Sequence, residues 1–265
     1  MGRLGNQLFQ VAFLVSFAER YGVDYALPEW DYAPFFAYDF KIDPNLASRR
    51  FDKVVREPSS AYCEDFFIRL LPDIRKGDVD IETGYFQSCR YFTKQDVLRI
   101  FKSQIELEFD TRDWVAISVR RGDFLKHALY VDIEAHTYRE LLSRYFPHHK
   151  VLVCSDDFAY CRSEFIGPQY EFCEGYEAVE QLMLFRLFEN FILSNSTFSF
   201  WGPMLSTKVK KVFYPRYMFT DLERCALFNR DYWPHTREYI PYDNPINKPL
   251  IVGYSQYDSA RFDTP

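Results

Sequence analysis

Two adjacent arginines followed by a glycine and an aspartate, in the segment SVRRGDF at residues 118–124, are the strongest candidates for chemistry in this sequence. A guanidinium group presents five donors in a planar fork that fits phosphate oxygens, so Arg120 and Arg121 predict a diphosphate-binding site. The two positive charges could stabilise the negative charge that develops on a departing diphosphate. Asp123 is suited to orient an arginine or to receive a proton. A salt-bridged surface turn without a ligand is the alternative that this segment alone leaves open.

A second candidate is the segment GRLGNQLFQ at residues 2–10, where glycines precede a predicted helix. Backbone N–H groups and the helix dipole favour an anion at such an N-terminus, so Gly5 and Asn6 predict a phosphate-binding turn. The spacing of Gly2 and Gly5 fits neither G-x-G-x-x-G nor the P-loop. The alternative makes Gly5 a simple bend and Asn6 the N-cap of the helix.

The segment NSTFSFWG at residues 195–202 combines three hydroxyl groups with an amide and aromatic rings. Ser196 and Thr197 are predicted to hold phosphate oxygens, and Phe198 is predicted to stack on a base or a sugar. The alternative is a capped strand-to-helix turn whose aromatic rings lie in the core.

Adjacent aspartates occur in CSDDF, residues 154–158, where the spacing does not match the Asp-x-Asp metal site of other sugar transferases. The adjacent aspartates are therefore predicted to hydrogen-bond a ribose or base edge, or else to cap the next helix. The five histidines show no ligand spacing, so the sequence predicts no metal site.

The elements that must position these residues follow from the apolar periodicity. Residues 6–21 predict one amphipathic helix that stops at Gly22, and residues 28–80 predict irregular segments with short strands and helices. From residue 114 onward, apolar runs alternate with helical stretches: WVAISV, TYRELLSRYF, KVLVCS, AVEQLMLFRLFEN, FILS and KVKKVFYP.

This alternation predicts an α/β fold with a parallel sheet, most evident in the C-terminal half. RRGD, SDDF and NSTFSFWG each follow a predicted strand directly, so all three are expected at the carboxyl edge of that sheet. No regular structure is predicted from about residue 234 to the end.

Composition limits the partners of the chain. With 265 residues, a net charge of −6 and no Lys/Arg-rich stripe, the sequence gives no reason to expect nucleic acid. No signal peptide and no run of 18 apolar residues is present, so we expect a cytoplasmic protein without a membrane span. Peripheral association with a membrane stays open.

Six segments together resemble the inverting α-1,2-fucosyltransferase family and, more distantly, the α-1,6 and protein O-fucosyltransferases: GRLGNQLFQ, ETGYFQSCRYF, SVRRGDF, CSDDF, LMLFRLFENFILSNSTFSFWG and VFYPRYMF. The resemblance implies two Rossmann-like domains facing a cleft, the GT-B arrangement. Residues 1–110 would form the acceptor-side domain, and residues 111–265 would form the nucleotide-sugar-binding domain with an irregular tail.

The resemblance also implies a reaction: transfer of L-fucose from GDP-fucose to a hydroxyl of a galactoside-like glycan acceptor, with inversion to an α-1,2 linkage and without a metal or other cofactor. By this similarity Arg120 contacts the β-phosphate, Arg121 supports the loop, and Asp123 orients the arginines or takes the acceptor proton. The remaining implied ligands of the donor are Gly5, Asn6, Asp156, Ser196, Thr197 and Phe198.

Three departures from the family pattern keep other functions open. Ser118 stands where the family usually has histidine, Phe200 replaces one of a tryptophan pair, and only Met1 precedes the segment that follows a strand in relatives. The last departure has three alternative interpretations: the sheet is rebuilt from another segment, the chain is trimmed, or the N-terminal domain is weakened. The alternatives are a fucosyltransferase of other linkage or acceptor, a non-catalytic protein that binds a GDP-sugar or glycan, and a structural partner protein.

Overall fold

The computed structural model of the protein describes residues 2–58, 62–104 and 110–251. The chain separates into two compact units, Met1–Ile105 and Glu106–Pro265, called here the N-terminal and the C-terminal unit. Both contain parallel strands and helices, so the predicted α/β class is confirmed. The GT-B arrangement, with its boundary at residue 110, stays a prediction.

The N-terminal unit begins with helix α1, Leu4–Tyr21, whose apolar face is buried. The helix stops at Gly22, which adopts a left-handed φ of 63° that disfavours a side chain and donates its N–H to the Ala18 carbonyl. The predicted end is therefore found. The predicted start was late, because Arg3 is the N-cap, and the alternative with Asn6 as N-cap is wrong.

The rest of the N-terminal unit mixes short elements with turns, as predicted for residues 28–80. Its two strands pair in parallel, and its last helix starts with a capping box between Thr93 and Asp96. The elements are two 3-10 turns at Ala33–Phe35 and Leu46–Ser48, β1 (Lys53–Arg56), α2 (Glu64–Ile74), β2 (Val79–Thr83) and α3 (Lys94–Ile100).

The C-terminal unit is built on a six-stranded sheet in which every neighbouring pair is parallel. The strand order is β5-β4-β3-β6-β7-β8. The strands are β3 (Trp114–Val119), β4 (Lys150–Ser155), β5 (Tyr170–Phe172), β6 (Asn190–Ile192), β7 (Lys211–Pro215) and β8 (Tyr239–Tyr242).

Helices alternate with these strands. They are α4 (Ala135–Tyr145), α5 (Phe158–Glu164), α6 (Ala178–Phe185), α7 (Thr197–Leu205) and α8 (Leu222–Tyr232). Every residue of the central strand β3 is buried, as expected for a parallel strand covered on both faces. No helix within residues 2–58, 62–104 and 110–251 is both long and apolar enough to cross a membrane.

Three element predictions need correction. The helix predicted for residues 178–190 ends at Phe185, and Asn190 already belongs to β6. The segment contains no glycine or proline that would mark the end of the helix, and its apolar residues continue from the helix into the strand. The segment at residues 195–202 starts α7 with Ser196 as its N-cap, which corrects its interpretation as a loop and confirms the alternative of a capped strand-to-helix turn with aromatic rings in the core. The tail contains strand β8, in which Pro241 is tolerated at the edge of the sheet.

Candidate active site

The strand order changes direction at the central strand β3, which makes β3 the topological switch point of the sheet. The chain adds β4 and then β5 on one side of β3, and returns to place β6 on the other. In open parallel sheets, ligands bind at the carboxyl ends of the strands at such a switch point. The loops after β3, β4 and β6 all leave the sheet at this edge, as the sequence predicted.

Arg120 is the first residue after β3, and its side chain is only 13% exposed. Its Nη1 lies 2.7 Å from Oδ2 of Asp156, and its Nη2 contacts Asp123. The guanidinium carbon lies 4.8 Å from the centre of the Phe124 ring, in cation–π range. The structure thus brings together Arg120, Asp123 and Asp156, three residues that the sequence singled out.

Asp156 joins the loop after β4 to the loop after β3. While one carboxylate oxygen meets Arg120, the other accepts the backbone N–H of Arg121 at 2.9 Å. Gly122 makes this approach feasible, because a Cβ there would collide with the Asp156 carboxylate. These contacts make Asp156 a support of residues 120–127, called here the arginine loop. Its expected place beside guanosine stays a prediction.

Arg121 turns away from Arg120 and is held by other partners. Its Nη1 donates to Asp132 at 3.1 Å, its Nε lies 3.7 Å from a carboxylate oxygen of Asp157, and its guanidinium carbon stacks 3.6 Å from the centre of the Tyr160 ring. Burial raises the pKa of Asp132 above its usual value, although the Arg121 charge opposes this. The geometry agrees with a supporting role for Arg121.

The charge around the two arginines is not positive. Arg120 and Arg121 lie in ion-pair range of four carboxylates, so the fully ionised set carries a net charge of −2. Asp123 has the most exposed of these side chains, at 55%. A diphosphate that binds Arg120 would therefore most readily exchange places with Asp123.

A ring of three serine hydroxyls lies at the switch point and was missed by the sequence reasoning. The Oγ of Ser199 donates to that of Ser118 at 2.7 Å, the Oγ atoms of Ser194 and Ser199 are 2.6 Å apart, and those of Ser118 and Ser194 are 3.4 Å apart. All three side chains are buried. The ring ties the ends of β3 and β6 to the first turn of α7, where Ser118 replaces the family's histidine.

The N-terminus of α7 lies at the same edge. The Ser196 side chain caps it by accepting the Phe198 N–H at 3.2 Å, and Thr197 is the first helical residue. Phe198 is half-buried, and its ring lies 6.1 Å from that of Phe185. Phosphate is favoured at such a helix end by the N–H groups of the first turn and by the dipole.

Gly5 and Asn6 are placed in the first turn of α1, in the N-terminal unit. Gly5 is buried, and the Asn6 side-chain oxygen accepts a hydrogen bond from Nε2 of Gln87 at 2.9 Å. The other seven predicted site residues belong to the C-terminal unit. Their expected convergence with Gly5 and Asn6 on one donor stays a prediction.

The N-terminal unit also contains a buried carboxylate that the sequence reasoning did not single out. Glu57, directly after β1, is 7% exposed and accepts the N–H groups of Tyr85 and Phe86 at 2.9 and 3.0 Å on one oxygen. Its other oxygen accepts the Tyr91 hydroxyl at 3.3 Å. Burial raises the Glu57 pKa to about 7, even though these three donors favour the charged form.

This carboxylate stabilises an unusual turn after β2. Phe86 has a φ of 51°, a left-handed value that is uncommon for an aromatic residue, and its ring stacks at 3.8 Å on Phe13 of α1. The next residue, Gln87, is the partner of Asn6. The Gly-Tyr-Phe-Gln segment carries the polar side chain that reaches α1, but its residue types do not indicate the left-handed backbone of Phe86.

Within the residues that the structure describes, no group of three or more His, Cys, Asp or Glu side chains is placed to hold a metal ion. The carboxylates at the switch point face arginines instead.

Comparisons with known proteins place the chain in a family. The model of glycosyl transferase family 11 matches residues 1–214. A comparison with curated proteins finds no match. Among solved structures, the α-1,6-fucosyltransferase NodZ soaked with GDP-fucose gives a TM-score of 0.49 at 13% identity, covering 79% of this chain and 90% of that chain. The fucosyltransferase NodZ from Bradyrhizobium also gives 0.49, at 14% identity, with 78% and 90% covered.

The family match covers most of the 265 residues and includes both the first turn of α1 and the loops at the switch point. The chain belongs to glycosyl transferase family 11.

Proposed function

We propose that the protein transfers L-fucose from GDP-fucose to a hydroxyl of a galactoside-like glycan, with inversion to an α-1,2 linkage. Membership of glycosyl transferase family 11 makes the chain a glycosyltransferase and supports GDP-fucose as the donor. The observation that carries the site assignment is Arg120, held between two carboxylates at the carboxyl end of the central strand. The linkage and the acceptor rest on the sequence resemblance.

In this reaction the bond between C1 of fucose and the β-phosphate oxygen breaks, and its electron pair leaves with GDP. The acceptor oxygen bonds to C1 from the opposite face and loses its proton. Arg120 would stabilise the charge that grows on the β-phosphate, because its planar fork can bind two oxygens at once. Binding of the diphosphate would draw the guanidinium away from the exposed Asp123, while Asp156 keeps the loop in place.

The N-terminus of α7 would supply the second anchor for the donor. Ser196 and Thr197 are proposed to donate to phosphate oxygens, together with the N–H groups of the first turn. Phe198 is proposed to contact the nucleoside, since its ring is half-buried beside Phe185. Gly5 and Asn6 are proposed to bind the pyrophosphate and the fucose.

Asp123 has two proposed roles, and its contact with Arg120 favours the first, orienting the guanidinium. The acceptor proton can pass to water when the leaving group is strongly stabilised and the transition state resembles an oxocarbenium ion. A variant separates the two roles. Asp123→Asn, whose amide oxygen can still accept from Arg120, should keep most of the rate if the residue only orients the guanidinium, and should lose about a hundredfold or more if the residue takes the acceptor proton.

The test measures GDP release from GDP-fucose with and without lactose and related galactosides, in EDTA. We expect acceptor-dependent release in the wild type, and a loss of about a hundred- to a thousandfold in Arg120→Ala, as for a transition-state contact of about 3–4 kcal/mol. Arg112→Ala is the matched control, because Arg112 is exposed and pairs with Asp110. A requirement for added metal, or indifference to Arg120, would refute the mechanism.

The product decides the linkage. NMR of the fucosylated acceptor should show an α-fucoside on the 2-hydroxyl of galactose, whereas another position would support a fucosyltransferase of different linkage. Tight GDP binding with no transfer to any acceptor tested would instead support a non-catalytic GDP-sugar-binding protein.

A further inference from the structure

A segment that follows strand β8, residues 243–251, is fastened along the carboxyl edge of the C-terminal sheet and is called here the strap. Near its start, Asn244 accepts the Tyr217 N–H at 3.0 Å and donates to the Tyr217 carbonyl at 2.8 Å. At its end, the Ile251 N–H donates to the Thr220 carbonyl at 3.2 Å. Both anchors lie after β7, so the strap is held at two points.

Between these anchors, Lys248 reaches the arginine loop. Its ammonium donates to the carbonyls of Phe124 at 2.7 Å and of His127 at 3.0 Å. These carbonyls lie at the end of the 3-10 helix Gly122–Leu125 and of the turn that follows it. The Phe124 carbonyl also accepts the His127 N–H at 3.3 Å, so Lys248 adds a second, charged donor to a carbonyl at the carboxyl end of this helical turn.

The Phe124 contact leads directly to Arg120. The Phe124 ring lies under the Arg120 guanidinium and stacks on Tyr130 at 3.9 Å with an interplanar angle of 6°. Lys248 therefore fixes the backbone of the residue on which the candidate catalytic arginine rests. Movement of this backbone would move the aromatic platform with it.

The surroundings of Lys248 indicate a specific position rather than a loose surface contact. Burial lowers its pKa below the usual value for lysine, while the Asp132 carboxylate opposes that shift. Asp132 also accepts from Arg121, so Lys248 and Arg121 interact with the same carboxylate. A partly desolvated ammonium is tolerated when carbonyls take the place of water.

We propose that Lys248 is a positioning residue for Arg120, and that the strap holds the arginine loop in its reactive geometry. The strap lies outside residues 1–214, the part that the family model matches, so family membership alone does not assign it this role. The proposal rests on the proposed fucosyl transfer for its kinetic readout, but its structural readout is independent of the reaction.

The kinetic test compares Lys248→Met with the wild type and with Lys248→Arg, which keeps the charge and the donors. We expect Lys248→Met to lower kcat for fucosyl transfer by about ten- to a hundredfold with little change in the KM for GDP-fucose, and Lys248→Arg to recover most of the rate. Asn247→Ala is the matched control in the strap, because Asn247 bonds to Glu134 and not to the loop.

The structural test is amide hydrogen exchange of the loop in the same variants. Leu125, Lys126 and His127 donate their N–H groups within the arginine loop, and these should exchange at least about tenfold faster in Lys248→Met, while the amides of β3 and β4 keep their protection. Preserved strand protection also shows that the variant is folded. Should Lys248→Met unfold, Lys248→Gln, which keeps N–H donors without the charge, is measured in its place.

Unchanged kcat and unchanged loop protection in the Lys248 variant would overturn the proposal. If the wild type itself transfers no fucose, the proposed function fails, and the exchange data alone decide whether the strap holds the loop. Slower transfer together with faster loop exchange, both reversed by arginine, is the result that we expect.

Discussion

The buried carboxylate of Glu57 makes the stability of this protein depend on pH in a direction that can be measured. The perturbation is Glu57→Gln. In the wild type one carboxylate oxygen accepts both backbone N–H groups, from Tyr85 and Phe86, and an amide oxygen can take over that position. The amide NH₂ then faces the Tyr91 hydroxyl, whose oxygen can accept. The substitution therefore keeps the hydrogen bonds and removes the charge.

The magnitude follows from the pKa of Glu57, which burial raises from an ordinary 4.5 to about 7. The folded state then binds the proton more tightly than the unfolded state, so the stability contributed by Glu57 is fully present below pH 4.5 and is lost as the pH rises through 7. At 1.36 kcal/mol for each pH unit, the loss is about 3 kcal/mol. Glutamine does not titrate and should show no such change.

The assay is urea unfolding of the wild type and of Glu57→Gln at a series of pH values from about 4.5 to about 8. The wild type should lose about 3 kcal/mol of unfolding free energy relative to the variant across this range. Glu57→Ala serves as the control for the acceptor, because it leaves the buried N–H of Phe86 without one. It should be about 1–3 kcal/mol less stable than Glu57→Gln at every pH, since neither variant titrates at this position. A difference between wild type and Glu57→Gln that stays constant with pH would refute the reasoning, since the three donors would then balance the effect of burial on the pKa of Glu57.

Three further substitutions test the packing around the candidate site and α1. Ser118→Ala opens the serine ring and should cost about 1–3 kcal/mol in urea unfolding, because a buried partner hydroxyl at Ser199 loses its acceptor; an unchanged midpoint would contradict this. Gly202→Ala drives a Cβ into the buried Phe185 ring and should cost about 1–3 kcal/mol, seen as a lowered Tm; a Tm equal to that of the wild type would contradict this. Gly22→Ala forces a Cβ into a left-handed conformation with open space around it, so thermal unfolding should reveal only the backbone cost of about 1 kcal/mol.

The central part of the C-terminal sheet could be predicted from the sequence because it depends on local patterns. Strands β3 and β4 are apolar runs bounded by polar segments, and their lengths suit strands. The edge strands carry no such signal. β5 is only Tyr-Glu-Phe, and β8 contains Pro241, which argues against a central strand but is compatible with an edge.

The part of the site that was predictable from the sequence is the set of residues that directly follow strands. Arg120, Asp123 and Asp156 meet because loops that follow parallel strands leave the sheet at one edge. The partners that hold these residues are remote in sequence and lie in no recognisable motif. Lys248 is more than a hundred residues from the loop that it contacts, and only the path of the chain after β8 brings it there.

The burial of polar side chains was also not predictable from the sequence. A serine at a strand end and a serine in a helix have ordinary neighbours, and nothing local shows that Ser118, Ser194 and Ser199 will meet. Glu57 likewise looks like a surface residue beside a proline. Its burial follows from the turn at Phe86, whose left-handed backbone no local pattern indicates.

The pairing of β6 with β3, on the side opposite β4, has a consequence for the order in which the strands of the C-terminal sheet pair during folding. Ile117 pairs with Val153 across 36 residues in β4, but with Ile192 across 75 residues in β6. Closing the longer stretch costs roughly 0.6 kcal/mol more in chain entropy, and long-range pairing slows folding. We therefore expect the β3–β4 pair to form before β6 docks. The hydroxyls of Ser118 and Ser194 then meet only in the later step, so the switch point is completed after the rest of its sheet has begun to form.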